Sequence, residues 1–242
     1  MRLAWASLAM VAADPAAGQV LPAGFVYLAD IDASIAQDLR YARSGNFTGK
    51  PVPGYRTPEC VLEQRTASAL AAVQARLKPE GFGLQVYDCY RPHRATAAFM
   101  RWVRQSTASA TSRYHPAIPR SKLIELGYIA DRSSHSTGAS VDLTLVRLTP
   151  SGTANAPSAD SGCGTRPDGS IDMGSGFDCF DPLSHSGSRR LTRGQAAARS
   201  TLAKAMAAKG FRGYSREWWH FTFTGASTGP VEDFVVPPRP SR

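Results

Sequence analysis

The chain has 242 residues, 43% of them hydrophobic, which suits one globular domain with a substantial buried core. Lysine and arginine outnumber aspartate and glutamate by 28 to 19, a formal net charge of +9, but only Arg189, Arg190 and Arg193 cluster. Charge so dispersed, without interleaved aromatic residues or a recognised motif, argues against nucleic acid as a partner, and no segment is apolar enough for stable membrane insertion.

In chain order, Met1 to Ala13 carries one arginine, an apolar run from Leu3 and the small residues Val11-Ala12-Ala13. This is the pattern of a short secretory leader, too short to span a bilayer, and it predicts a mature domain over 14–242, starting near Asp14 in the periplasm or medium. Thr57-Pro58 opens an amphipathic helix through Val61, Leu62, Leu70, Val73 and Leu77 that stops at Gly81. Residues 83–88 (GLQVYD) alternate as a strand, and Tyr90-Arg91-Pro92 leads into a second helix through Phe99, Met100 and Val103. A clean strand follows over 139–148, with Val141, Leu143 and Leu145 on one face and Ser140, Asp142 and Thr144 on the other.

From Thr149 to Gly164 the chain is rich in Ser, Gly, Ala and Pro and reads as a surface loop. Thr192 and Gln195, three residues apart as in a capping box, begin a third helix that stops at Gly210, and EWWHFTF (217–223) is an aromatic, β-branched strand. Helices and strands without regular βαβ alternation predict a single α+β domain with a largely antiparallel sheet flanked by helices. The cysteines Cys60, Cys89, Cys163 and Cys179 show no CxxC spacing, which argues against a zinc ribbon or a thioredoxin-type pair. Export permits disulfides. Sequence alone allows three connectivities; Cys163 with Cys179, which share one Gly/Ser/Asp-rich stretch, and Cys60 with Cys89 are favoured over the other two pairings and over four free thiols.

The chemistry concentrates in SSHSTGASVDL (133–143), where His135 ends a polar turn and Asp142 lies on the polar face of the next strand. An imidazole and a carboxylate suit Zn²⁺, whose catalytic sites use three protein ligands and keep a fourth position open. Of the other histidines (93, 115, 185 and 220), His220 in EWWHF is best placed to be the third. Glu217 offers a carboxylate as general base. Residues three apart on a regular strand face opposite ways, so Glu217 must sit in the turn before the strand or on a β-bulge.

These residues resemble a family, the D-alanyl-D-alanine dipeptidases, which include the vancomycin-resistance enzyme and belong to the wider group of zinc D,D-peptidases. The likeness runs through DLRYARSGNFTGKPVPGY (38–55), VYDCYRPHRA (86–95), SSHSTGASVDLTL (133–145), DMGSGFD (172–178) and EWWHF (217–221). It implies a hedgehog/D,D-peptidase-like fold and one zinc per chain on His135, Asp142 and His220. It further implies Glu217 as catalytic base and Arg91 as the group that stabilises charge on the scissile carbonyl, with Tyr41, Ser133 and Asp178 holding the substrate, its free ammonium in particular. The implied reaction is hydrolysis of D-Ala-D-Ala to two D-alanines. A D,D-carboxypeptidase or endopeptidase acting on peptidoglycan stem peptides would use the same chemistry in a more open groove, and a non-catalytic wall-binding domain would have no need of Glu217. Three departures stand out: Ala139-Ser140 reverses the usual order of small residues, Cys89 replaces the common glycine before YRP, and the loop from 149 to 172, beside the expected pocket, is long and bears on substrate size.

Overall fold

Strand-forming runs in the middle and at the end of the chain build the sheet, and helices between them cover it. The computed structural model describes residues 20–105, 112–149, 162–164, 169–226 and 229–240. The leader expected over residues 1–13 and most of the loop expected from 149 to 172 lie outside the described residues. In chain order the elements are β1 (Phe25–Tyr27), α1 (Leu28–Ile31), β2 (Ala36–Gln37), β3 (Val61–Glu63), α2 (Gln64–Leu77), β4 (Phe82–Asp88), α3 (His93–Arg104), β5 (Ser140–Arg147), α4 (Arg193–Ala207), β6 (Phe211–Tyr214) and β7 (Glu217–Phe223). The result is a mixed α+β domain. Its main sheet has the order β2-β4-β5-β7-β6, parallel only between β2 and β4, and β1 and β3 form a separate antiparallel pair.

The central strand β5 is buried on both faces from Ser140 to Val146. Its apolar face, Val141, Leu143 and Leu145, belongs to one hydrophobic cluster with Leu70, Val73 and Leu77 of α2 and Leu202 and Met206 of α4. Removing these side chains from water is the main stabilising contribution to the domain. The opposite face carries the polar alternates, and the functional residues stand there.

One sequence expectation needs correction. Val61 and Leu62 are not in a helix but in β3, paired with Tyr27 and Val26, and both are fully buried. Two adjacent apolar residues buried on opposite sides suit a strand, whereas the helix starts only after Glu63, whose carboxylate accepts from the Thr66 backbone N–H at 3.0 Å. The third helix begins on the expected capping box, with Thr192 N donating to Gln195 Oε1 at 2.9 Å and Gln195 N to Thr192 Oγ1 at 3.3 Å. It ends at Ala207, ahead of Gly210 at φ +83°.

Two irregularities aim side chains. Val86 pairs with Leu143 but Asp88 with Asp142, so β4 carries one extra residue and Asp88 turns onto the face of Asp142. On the other side of the sheet, Gly213 pairs with Phe221 while Tyr214 pairs with Glu217, a jump in β7 that frees Glu217 from strict alternation. Disulfides join Cys60 to Cys89 and Cys163 to Cys179, each next to a polar site residue, Asp88 and Asp178.

The turn before β5 depends on Gly138, which sits in the left-handed region at φ +74°; a Cβ there would lie 2.5 Å from Phe25 Cε1 and 2.8 Å from the backbone nitrogen of Glu63. Gly138→Ala should therefore lower stability by about 1–3 kcal/mol. Chemical denaturation of the variant is the check, and an unchanged midpoint would show that the turn tolerates a side chain.

Candidate metal centre and active-site cavity

Three strands set side chains in a row. Asp142 is paired with Asp88 on one side and with His220 on the other, and directly paired residues rise from the same face of a sheet. His135 joins them from the short 3₁₀ turn Ser134–Thr137, whose N-cap Ser133 accepts from the His135 backbone N–H at 3.3 Å. Ser133 thus acts on the turn itself, besides lining the cavity.

The ligand atoms converge. His135 Nε2 lies 3.1 Å from His220 Nδ1 and 3.2 Å from Asp142 Oδ1, and His220 Nδ1 lies 3.0 Å from the same oxygen. Tetrahedral bonds of about 2.0–2.1 Å place neighbouring ligand atoms roughly 3.3 Å apart, so the spacing fits one zinc ion. The donor set fits as well. His135 Nδ1 lies 2.7 Å from the Cys89 carbonyl, which can only accept, so Nδ1 carries the proton and Nε2 turns a lone pair inward. Burial lowers the His220 pKa, against the pull of Asp142, and keeps its imidazole neutral as a ligand must be. Burial alone would raise Asp142, but positive charge at the two histidines, on the imidazoles or on a metal held between them, more than offsets it and holds the carboxyl well below the usual range. Among the described residues this is the one cluster of three such side chains able to hold a metal.

Arg91 stands beside this cluster. Its Nε and Nη2 both lie 2.8 Å from Asp88 Oδ2, and Nη2 reaches Asp142 Oδ2 at 3.4 Å, leaving Oδ1 for the metal. Burial opposes its charge, while Asp88 and the neighbouring Tyr41 and Tyr55 hold the guanidinium ionised. Asp88 is fully buried and also accepts from Tyr55 Oη at 2.8 Å. Sequence reasoning missed both Asp88 and Tyr55. The YRP motif drew attention to Arg91, and only the bulge in β4 reveals which carboxylate orients it.

The cavity in front of the cluster has a volume of about 380 Å³, and its walls include Tyr41, Phe47, Phe99, Asp178, Glu217 and Trp219. Asp178 adopts φ +60°, an uncommon conformation for a residue other than glycine, and accepts from Tyr41 Oη at 3.0 and 3.1 Å through its two oxygens. Buried Arg199 pins its loop by donating to the carbonyls of Met173, Leu183 and His185 at 2.7, 3.0 and 3.0 Å. Burial, then the charges of Asp142 and Asp178, push Glu217 well above the ordinary glutamate range, with Arg91 opposing. Asp178 is raised by burial and by Asp142, again against Arg91. Every site residue singled out in the sequence (Tyr41, Arg91, Ser133, His135, Asp142, Asp178, Glu217 and His220) thus lines one cavity.

Residues 22–236 match the profile of the peptidase M15 family, described as D-ala-D-ala dipeptidase. The D-alanyl-D-alanine dipeptidase of Streptomyces coelicolor is 40% identical over 199 residues, covering 82% of this chain and 90% of the relative. The chain belongs to the D-ala-D-ala dipeptidase family. Proteins of the same name from Enterococcus faecium (37% identical, 82% of this chain and 90% of that one) and Escherichia coli (30% identical, 85% and 88%) are further relatives. Membership makes the chain a metallopeptidase.

His220→Ala removes one of the three converging side chains without touching the hydrophobic core. The purified variant should hold less than about a tenth of the zinc of its parent, which should itself carry about one ion per chain through three protein ligands. Metal analysis after gel filtration decides it; full occupancy in the variant would exclude His220 as a ligand.

Proposed function

We propose that this protein hydrolyses D-Ala-D-Ala to two D-alanines with one zinc ion held by His135, Asp142 and His220. The observation that carries the reading is the pair of carboxylates, half-buried Glu217 and buried Asp178, that line one cavity with the metal cluster. Family membership supports the same activity. When bound, zinc supplies Lewis acidity and brings water toward ionisation near neutral pH.

Tyr41 and Asp178 receive the substrate's free ammonium. Burial raises the pKa of the Tyr41 phenol, which therefore remains a donor to Asp178, and an ammonium beside Asp178 favours the carboxylate that burial alone disfavours. Phe47, Phe99 and Trp219 provide apolar walls for the methyl groups. Glu217, whose pKa burial and the neighbouring carboxylates raise, accepts a proton from water as the water oxygen bonds to the scissile carbonyl carbon. Arg91, held by Asp88, donates to the oxyanion that develops. As the carbon–nitrogen bond breaks, Glu217 returns the proton to the leaving amine, and two free D-alanines result.

Export belongs to the same proposal. The leader pattern over residues 1–13 and the two disulfides both suit an oxidising compartment outside the cytoplasm. Protein recovered from the periplasm or medium should begin near Asp14 and carry no free thiol by non-reducing mass spectrometry. An uncut N-terminus with four free thiols would overturn the assignment.

Free D-alanine released from D-Ala-D-Ala and from an N-acetylated peptide ending in D-Ala-D-Ala distinguishes the reading from a D,D-carboxypeptidase. Only the first should be cleaved, because acetylation removes the ammonium. Glu217→Gln should keep its zinc and lose activity by about 10²- to 10⁴-fold, with little change in substrate affinity. Near-normal turnover in a zinc-loaded variant would remove Glu217 from the mechanism.

A further inference from the structure

The cavity is unevenly charged. Its acidic groups, Asp142, Asp178 and Glu217, are buried or half-buried, whereas two arginines at its mouth, Arg132 and Arg212, are exposed. Neither arginine has an ion-pair or hydrogen-bond partner among the described residues. Surface arginines of a basic protein are often merely solvated, but these two border the same cavity as the metal cluster and come from different elements.

Sheet order locates them relative to the reaction. The turn that carries Tyr41, Arg40–Ala42, packs on β4, so the Tyr41–Asp178 pair lies toward that side of the sheet. Asp142 and His220 occupy β5 and β7 in the middle. Arg212 is on β6 at the far edge and is paired with Thr222, itself paired with Ser140, so its side chain rises from the face that bears the ligands. Arg132 immediately precedes Ser133 and the turn of His135. A negative end, a metal centre and a positive end therefore follow one another across β4, β5, β7 and β6.

Adjacent strands lie about 4.8 Å apart, so this path is about 14 Å long. An extended dipeptide takes about 7 Å of it, and the side chains at the two ends take the rest. A zwitterion of two residues, with its scissile bond over the metal, matches the charge order and the length together.

We propose that Arg132 and Arg212 receive the free α-carboxylate of the substrate's second residue, which makes them specificity-determining residues. The inference rests on the peptidase reading above and extends it from one substrate terminus to both. The planar guanidinium forks suit a carboxylate, and the contact is made equally in the bound substrate and in the transition state. It should therefore act on KM far more than on kcat.

The test compares the free acid with the C-terminal amide, for both D-Ala-D-Ala and its N-acetylated form, in the parent and in Arg132→Ala, Arg212→Ala and the double variant. Zinc content and melting temperature are measured alongside, and both should stay at parental values because the side chains are exposed. In the double variant KM for the free acid should rise about 10- to 100-fold with kcat within about threefold, and the preference for acid over amide should disappear. Calorimetric binding of D-Ala-D-Ala to Glu217→Gln, with and without the two arginine changes, should show the same loss without turnover. A parent that cleaves acid and amide equally well, or a double variant that keeps the full preference, would overturn the proposal. Cleavage of the acetylated peptide alone would end the dipeptidase reading but leave the arginine test intact, since acid and amide are compared on whichever substrate turns over. No turnover of any of the four substrates by zinc-loaded protein would count against both.

Discussion

Asp142 and His220 occupy paired positions on adjacent antiparallel strands, so their side chains must rise together from one face, with Oδ1 and Nδ1 only 3.0 Å apart. The rest of the site is arranged around that pairing. The bulge in β4 brings Asp88 onto the same row, Asp88 fixes Arg91, and the Cys89 carbonyl next to it sets the tautomer of His135. The shift in β7 then admits Glu217 to the cavity although it stands three residues from His220. A one-residue slip of β5 against β7 would send Asp142 and His220 to opposite faces and remove the site, so the hydrophobic pattern that locks the register also guards the chemistry.

Electrostatics explain why such a site needs its ligands. Asp142, Asp178 and Glu217 crowd one small cavity with a single fully engaged guanidinium, Arg91, among them. Burial and neighbouring carboxylates, Asp142 in both cases, raise Glu217 and Asp178, and a cation bound beside them would offset that rise. The cost of this arrangement is met elsewhere in the fold, where Asp88 is satisfied by Arg91 and Tyr55 and buried Arg199 by three carbonyls.

Support also comes from behind the site. The Cys60–Cys89 bridge ties the end of β4 to the segment entering β3. The C-terminal segment crosses the back of the metal turn, where Glu232 N donates to the Ser136 carbonyl at 2.8 Å and Phe234 stacks on Tyr90 with ring centres 4.0 Å apart. Such contacts immobilise the residues flanking His135 and Arg91, which a preorganised centre requires.

Much of this was legible in the sequence, for physical reasons that differ from residue to residue. The period-two alternation of 139–148 specifies a strand and the face on which Asp142 lies, and the Thr192 and Gln195 capping box specifies where α4 starts, because both are local properties of the backbone. Metal-ligand side chains are few, so His135, Asp142 and His220 stood out, and the need for a turn or a bulge at Glu217 followed from strand geometry alone. Val61 and Leu62 misled because two apolar neighbours fit a helix as well as a buried strand until a partner, β1, is known. Asp88, Tyr55, the polarity of the cavity and the position of Arg212 were decided only by tertiary structure. Each depends on which strand lies beside which, and residues far apart in the chain acquire a shared face only when the sheet has formed.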